Sequence, residues 1–108
     1  MMPSEIVQEL AELTATNKKG VEALYEAEVN LARTESDLDK AEAGAFISGT
    51  GSVAERQAAA KLACSELRFE RDLAKAQVNR IRTKIKAIES AIMAQATMAK
   101  MMQAEMKL

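Results

Sequence analysis

The stretch GTGSVAERQ, residues 49–57, lies near the middle of the chain and carries its clearest structural signals. Gly49 and Gly51 can take positive φ and so end a helix at little cost. Ser52 and Glu55 then match a capping box, in which the Ser52 hydroxyl accepts from the Glu55 amide and the Glu55 carboxylate reaches back. A helix end followed directly by a helix start predicts a turn between two helices.

The two glycines also raise the alternative of a phosphate-binding loop. Such a loop follows a strand and continues into Lys-Ser or Lys-Thr, and the stretch GTGSVAER shows neither feature. An anion at the N-terminus of the second helix remains compatible with the sequence, but a structural turn is the preferred interpretation.

The composition of the 108-residue chain suits long helices and argues against an enzyme. Alanine, glutamate, lysine and leucine are abundant, whereas the chain has one proline, one tyrosine, two phenylalanines and no tryptophan. This profile is typical of helical coiled coils. Histidine, the commonest general base and metal ligand, is missing. We therefore expect no catalytic residues, no cofactor and no metal site.

Cys64 is the single cysteine, which excludes an intrachain disulfide and indicates a reducing compartment. We expect it to be a buried core residue rather than a reactive thiol.

The acidic N-terminal segment does not resemble a secretion signal. The uncharged stretch 90–99 is shorter than the about 20 residues that a membrane helix needs. The sequence thus predicts a soluble cytoplasmic protein without a membrane partner.

A seven-residue repeat on both sides of the turn predicts a coiled-coil seam. In the first helix the seam positions are Ile6, Leu10, Leu13, Asn17, Gly20, Leu24, Ala27, Leu31, Thr34, Leu38, Ala41 and Ala45. After the turn they are Val53, Ala60, Cys64, Leu67, Arg71, Ala74, Val78, Ile81, Ile85, Ile88, Ile92, Gln95, Ala99, Met102 and Met106.

The predicted fold is therefore all-α, an antiparallel two-helix coiled-coil hairpin that forms a single domain over residues 1–108. The first helix is expected at about 4–47, the turn at 48–51 and the second helix at about 52–108. With the turn centred near residue 49, Gly20 faces Val78 and Ile6 faces Ile92. Residues 96–108 then extend beyond the first helix and have no intrachain partner.

Charge supports the same alignment. Residues 1–54 carry ten acidic and four basic side chains, a net charge of −6, whereas residues 55–108 carry six acidic and eleven basic ones, a net charge of +5. Opposite charges face each other in this register at Glu28–Lys75, Glu35–Arg68 and Glu42–Lys61. Arg80, Lys84 and Lys86 are left without a partner, and these three form a candidate contact to DNA or RNA phosphates.

Apolar residues outside the seam indicate a further interface. Leu62, Phe69 and Leu73 share one face of the second helix, and Tyr25, Val29, Ala32 and Phe46 form a less regular stripe on the first. A two-helix hairpin has one seam to bury, so a second stripe favours a homo-oligomeric bundle or a larger assembly. The alternative is a surface with scattered apolar residues, which is common.

The C-terminal segment is rich in methionine, with Met98, Met101, Met102 and Met106 at residues 96–108. Methionine side chains are flexible and suit docking to another protein or to a neighbouring subunit. A frayed terminal tail is the alternative.

The segment SGTGSVAERQAAA and the layout around it resemble small helical proteins of poorly defined role that bacteriophages and prophages encode. The shared layout is an acidic first helix, a glycine-containing turn leading into Ser/Thr-Val-x-Glu-Arg, and a basic second helix. In this sequence the turn positions are Gly51, Ser52, Val53, Glu55 and Arg56. Such genes often lie near recombination and replication functions, so the resemblance implies a role in DNA metabolism. It carries over no catalytic residue.

These observations lead to one main hypothesis and three alternatives. The main hypothesis is a non-enzymatic, self-associating phage protein that acts as an accessory or adaptor in DNA recombination or replication. Its partners would be a second copy of itself and a phage or host protein. The alternatives are a direct binder of single-stranded or duplex DNA, an inhibitor of a host enzyme or defence system, and a structural component of the virion.

Overall fold

A computed structural model gives the structure of residues 2–107, and it confirms the all-α class. Three helices are present: α1 (Pro3–Ser48), α2 (Val53–Ala63) and α3 (Ser65–Lys107). No strand occurs between residues 2 and 107. The chain forms two compact units. Unit 1 combines α1 up to Leu24 with α3 from Arg80, and unit 2 spans Tyr25–Asn79.

The turn between α1 and α2 consists of residues 49–52 and uses its two glycines differently. Gly51 has a φ of 96°, a conformation that is costly for any residue with a side chain. A Cβ built on Gly49 would lie 3.3 Å from Arg56 Cγ. Glycine at position 49 therefore allows close packing, and glycine at position 51 allows the left-handed backbone.

Arg56 holds the C-terminal end of α1 from the opposite side of the turn. Its Nε donates to the Phe46 carbonyl at 3.0 Å, and its Nη2 donates to the Ile47 carbonyl at 3.2 Å. The guanidinium also lies 4.6 Å from the centroid of the Phe46 ring. The last carbonyls of a helix have no partner within the helix, and α1 has no basic residue in its last turn. Arg56 supplies both the donors and the positive charge that this helix end favours.

The single second helix that the sequence predicts is interrupted at Cys64, which separates α2 from α3. Cys64 has φ −102° and ψ 16°, and the bonds Cys64 N–H to Ala60 C=O and Arg68 N–H to Cys64 C=O are both 3.0 Å long. Arg68 Nη1 donates to the Lys61 carbonyl at 3.2 Å. A side chain that takes a carbonyl of the helical ladder is a known cause of a local break, and this contact accounts for the discontinuity.

The buried apolar residues confirm the seven-residue pattern. All of them lie at predicted seam positions: Ile6, Leu38, Ala60, Cys64, Ala74, Val78 and Ile85. Two seam predictions are wrong, because Val53 and Met106 are 60% and 74% exposed. The pattern therefore identified the buried face of each helix correctly except near the turn and near the C-terminus.

In unit 1, the predicted pairing of the two helices is wrong by seven residues. A Cβ built on Gly20 would lie 3.1 Å from Ile85 Cγ1, whereas the sequence register places Val78 opposite Gly20. Ile6 lines a small cavity with Ala99 and Met102 rather than lying opposite Ile92. The N-terminal end of α1 consequently reaches further along α3 than predicted.

In unit 2, Arg68 forms an ion pair with Glu42 rather than with Glu35, and its Nη1 reaches back to the Lys61 carbonyl. Glu42 and Lys61 line the same cleft, so this ion pair does not by itself indicate a shift of seven residues. A helix pattern that repeats every seven residues is satisfied equally well after a shift of seven, so the connection decides between the registers. Here α1 ends at Ser48 and α2 begins at Val53, each one residue later than predicted, so the position of the turn alone does not account for the shift of seven in unit 1.

Candidate interaction surfaces

The glycine turn is a helix connection whose polar groups contact each other. Ser52 is the N-cap of α2, and its side chain accepts a hydrogen bond from the Glu55 N–H at 3.2 Å. The Glu55 carboxylate lies beside Gly51, with Oε2 2.5 Å from the place that a Cβ on Gly51 would take. An acidic side chain thus already lies at the N-terminus of α2, where a bound anion would otherwise be favoured.

The three candidate nucleic-acid residues do not share one face of α3. Arg80, Lys84 and Lys86 are all exposed, and none of them forms an ion pair within the range 2–107 that the structure covers. An α-helix turns by about 100° per residue, so Arg80 and Lys84 point about 40° apart. Lys86 lies about 120° from Arg80 and about 160° from Lys84 on the same basis. Two of the three residues can therefore contact one phosphate backbone together.

The outer surface of unit 2 exposes a row of large apolar side chains on α2 and α3. Leu62, Phe69 and Leu73 are 78%, 64% and 55% exposed. Phe69 and Leu73 lie about 40° apart around α3, Leu62 lies on α2 just before the break at Cys64, and we call this set the outer apolar face. Such contiguous exposure is less common on monomeric proteins than isolated apolar residues are.

The apolar residues of α1 are less coherent. Tyr25 and Val29 are 69% and 40% exposed. Phe46, which the sequence places in the same stripe, is only half-buried and lies under the Arg56 guanidinium. Its ring is therefore engaged within unit 2, and the stripe on α1 is shorter than predicted.

The methionine-rich segment is part of α3, which extends to Lys107. Met98, Met101 and Met106 are 39%, 61% and 74% exposed; they span about 140° around the helix axis, and we call these three the methionine surface. Met102 is half-buried and lines the cavity that also contains Ile6.

This arrangement corrects the prediction that residues 96–108 lack an intrachain partner. The cavity is about 80 Å³ in volume and is lined by residues from both ends of unit 1: Pro3, Ile6, Val7, Ala99, Met102, Gln103 and Met106. Ile6 is only 1% exposed. The register shift of one heptad is the physical reason, because it brings the start of α1 level with residues that were expected to extend beyond it. Leu108 lies outside the described residues.

Two open clefts of about 450 Å³ each occur on the surface. The cleft in unit 2 is lined by Asp39, Glu42, Ala43, Phe46, Gln57, Ala60 and Lys61. The cleft in unit 1 is lined by Glu9, Glu12, Leu13, Thr16, Ala91 and Gln95. Thr16 has the only side-chain hydroxyl among the residues named for these two clefts. This hydroxyl donates a hydrogen bond to the Glu12 carbonyl at 2.9 Å.

Two polar side chains on the seam of unit 1 carry buried oxygen atoms that accept no hydrogen bond, Asn17 Oδ1 and Gln95 Oε1. Gln95 Nε2 donates to the Glu9 carboxylate. Leaving a buried acceptor unpaired costs about 1–3 kcal/mol. Polar residues at seam positions reduce stability but favour one helix register over its alternatives.

Groups of three or more histidine, cysteine, aspartate or glutamate residues in a metal-binding arrangement are absent from residues 2–107. Over that same range, no helix combines the length and the apolar character that crossing a membrane requires. The chain matches no protein-family model, no curated protein and no solved structure. The resemblance to phage-encoded helical proteins therefore has no support from these comparisons and remains a hypothesis.

Proposed function

We propose that the chain is a non-enzymatic, self-associating adaptor protein built as one antiparallel coiled-coil hairpin. The observation that carries the proposal is the exposure of large apolar side chains in both units, among them Phe69 at 64% and Met101 at 61%. Exposed apolar clusters of this kind favour contacts with other protein chains. The absence of histidine from the sequence supports a binding role over a catalytic one.

The methionine surface is the part of the molecule that we assign to a partner protein. Met102 anchors this segment of α3 beside Ile6, while Met98, Met101 and Met106 remain exposed. A rigid helix thus presents flexible thioether side chains, which can adapt to an apolar groove or helix on the partner.

The biological context of the proposal is DNA recombination or replication in a phage-infected cell, with the protein in the host cytoplasm. This part depends on the resemblance carried by SGTGSVAERQAAA. An inhibitor of a host enzyme or defence system, or a virion component, would use the same kind of apolar contact. The identity of the partner protein decides among these roles.

The experiment is quantitative affinity capture from cells that naturally produce the protein, using the full chain and a variant with Met98, Met101 and Met106 changed to Gln. Gln keeps a similar length and a good helix propensity, so the helix should persist. We expect a defined partner to be recovered in near-stoichiometric amount with the unchanged chain and to fall at least about tenfold with the variant. Equal recovery by both chains would remove the methionine surface from the proposal.

Direct nucleic-acid binding is the second candidate, and the exposed neighbours Arg80 and Lys84 favour it. If these residues and Lys86 contact phosphates, a mobility shift should appear at low salt and weaken steeply as salt rises. Changing all three residues to Gln should reduce the slope of log affinity against log salt by about 2 to 3. A complete lack of binding at low salt excludes this candidate and leaves the adaptor proposal in place.

A further inference from the structure

We infer that the outer apolar face of α2 and α3 is the surface on which a second copy of this chain packs, forming a two-fold dimer. The inference rests on the proposed function, because self-association is part of it, and it adds the surface and the symmetry. In a two-fold dimer the same patch is buried on both copies. Leu62, Phe69 and Leu73 of one copy would therefore contact the same three residues, or their immediate neighbours, on the other.

The exposed area of the chain is the first argument for a second copy. The chain exposes 8051 Å², whereas a compact monomer of 11.7 kDa exposes about 5,900 Å² by the surface law of folded monomers. The excess of about 2,000 Å² falls within the range of about 1,000–2,500 Å² that each subunit of a stable homodimer buries. Packing against one further copy of the chain would remove a large part of this excess.

The small core is the second argument. Of the seven buried apolar residues between residues 2 and 107, Ala60, Ala74 and Cys64 have small side chains, so burial within one chain removes little apolar area from water. Long helices gain stability when they pack an apolar face against another element. The outer apolar face lies off the seam and can supply such a contact.

The chemistry of the face also fits a copy of itself. Phe69 lies between Leu62 and Leu73 along the chain and can act as a central aromatic anchor, the residue type that dominates contact energies. The small residues Ala59 and Ala76 are exposed one turn or two away along the helices and let two helix backbones approach closely. Glu66 lies on the same face, about 60° from Phe69 around the helix, so the contact must leave its carboxylate in water.

The test compares the mass in solution of the full chain with that of a variant in which Leu62, Phe69 and Leu73 become Gln. Sedimentation equilibrium over a wide concentration range gives the dissociation constant. A matched control changes Val21, Ile47 and Met93 to Gln, because these apolar residues are 53%, 75% and 71% exposed and lie outside both proposed surfaces. Far-UV circular dichroism checks that all three chains remain helical.

We expect a dimer of twice 11.7 kDa for the unchanged chain and the control, and a dissociation constant raised at least about 100-fold in the variant. If the unchanged chain is a monomer throughout, both self-association and this inference fail. If it is a dimer but the variant dissociates no more readily than the control, the surface is wrong and self-association stands. A mass above the dimer overturns the two-fold arrangement. The adaptor function is tested separately on the variant that no longer dimerises. If that variant still captures a partner through the methionine surface, the adaptor function stands independently of this inference.

Discussion

Two glycines of unit 2 have opposite surroundings for an added methyl group. Gly51 has a φ of 96°, and a Cβ there would lie 2.5 Å from Glu55 Oε2. Gly44 lies inside α1, and nothing is within 4 Å of a Cβ built on it. The same substitution therefore meets backbone strain at one position and open space at the other.

We predict that Gly51→Ala lowers the free energy of unfolding by about 1–2 kcal/mol, because an L-residue is strained in the left-handed region. Gly44→Ala should raise it by about 0.5–1 kcal/mol, since alanine is the better helix former. Urea unfolding followed by circular dichroism measures both. Shifts of the same sign in the two variants would contradict the assigned backbone conformations.

Arg56 was identified from the sequence as a turn position, but its contacts with the end of α1 were missed. Its contacts with the carbonyls of Phe46 and Ile47 join residues nine and ten positions apart. No periodic pattern reports such a contact, because it depends on the path of the turn. The only available signal was the unsatisfied end of α1, which needs donors from elsewhere.

Arg56→Ala should lower the free energy of unfolding by about 2–3 kcal/mol, since it removes two charge-assisted hydrogen bonds and the contact with the Phe46 ring. Arg56→Lys should recover less than half of this loss, because an ammonium group cannot reproduce the planar, two-pronged geometry. Arg33→Ala serves as the control, as Arg33 is exposed on α1 and forms no ion pair in the described range 2–107. Similar unfolding midpoints for the Arg56→Ala and Arg33→Ala chains would show that the contacts of Arg56 with Phe46 and Ile47 do not stabilise the fold.

At the scale of the helices, the sequence predicted which faces are buried but not how the helices align. Ile6, Leu38, Val78 and Ile85 are buried where the seven-residue pattern places them. The pattern contains no information that distinguishes one register from another seven residues away. Only the length of the turn and individual close contacts, such as that of Gly20 with Ile85, select the register that forms.

Cysteine cross-linking distinguishes the two registers in unit 1. In a chain carrying Cys64→Ala, cysteines at positions 20 and 85 should form an intramolecular disulfide, because a Cβ at Gly20 lies 3.1 Å from Ile85 Cγ1, and the sulfur of a cysteine at position 85 would lie near the place of that Cγ1 atom. Cysteines at positions 20 and 78 should not cross-link, since Val78 precedes Ile85 by about 10 Å along the helix. Electrophoresis under non-reducing conditions, with mass spectrometry, reports both results. Preferred cross-linking of the 20–78 pair would restore the register predicted from the sequence.

The candidate surfaces were predictable to different degrees. Leu62, Phe69 and Leu73 lie off the seam, so their exposure followed from the pattern whatever the register. The surroundings of Met102 could not be predicted from the pattern, because they depend on which residues of α1 lie opposite Met102. The break at Cys64 was also beyond the pattern, since it arises from a contact of the Arg68 side chain with the Lys61 carbonyl.

For the molecule as a whole, the alignment of the chain ends determines the role of the C-terminal segment. If residues 96–108 extended freely beyond α1, their removal would leave the fold unchanged. In unit 1 the segment instead contributes to the cavity around Ile6, which is 1% exposed. The segment is thus part of the packed structure on one side and exposes Met101 on the other.

Deletion of residues 96–108 should therefore lower the free energy of unfolding by about 2–4 kcal/mol, because it uncovers Ile6 and removes the packing of Ala99 and Met102 against it. A chain that lacks only residues 104–108 is the control and should lose less than about 1 kcal/mol, because it keeps Ala99 and Met102 beside Ile6 and removes only the largely exposed Met106 from the cavity lining. Urea unfolding of the three chains at equal concentration gives the comparison. Equal stability of the full chain and the longer deletion would mean that the segment is an appendage used for binding alone, and the alignment of α1 with the end of α3 would then be wrong.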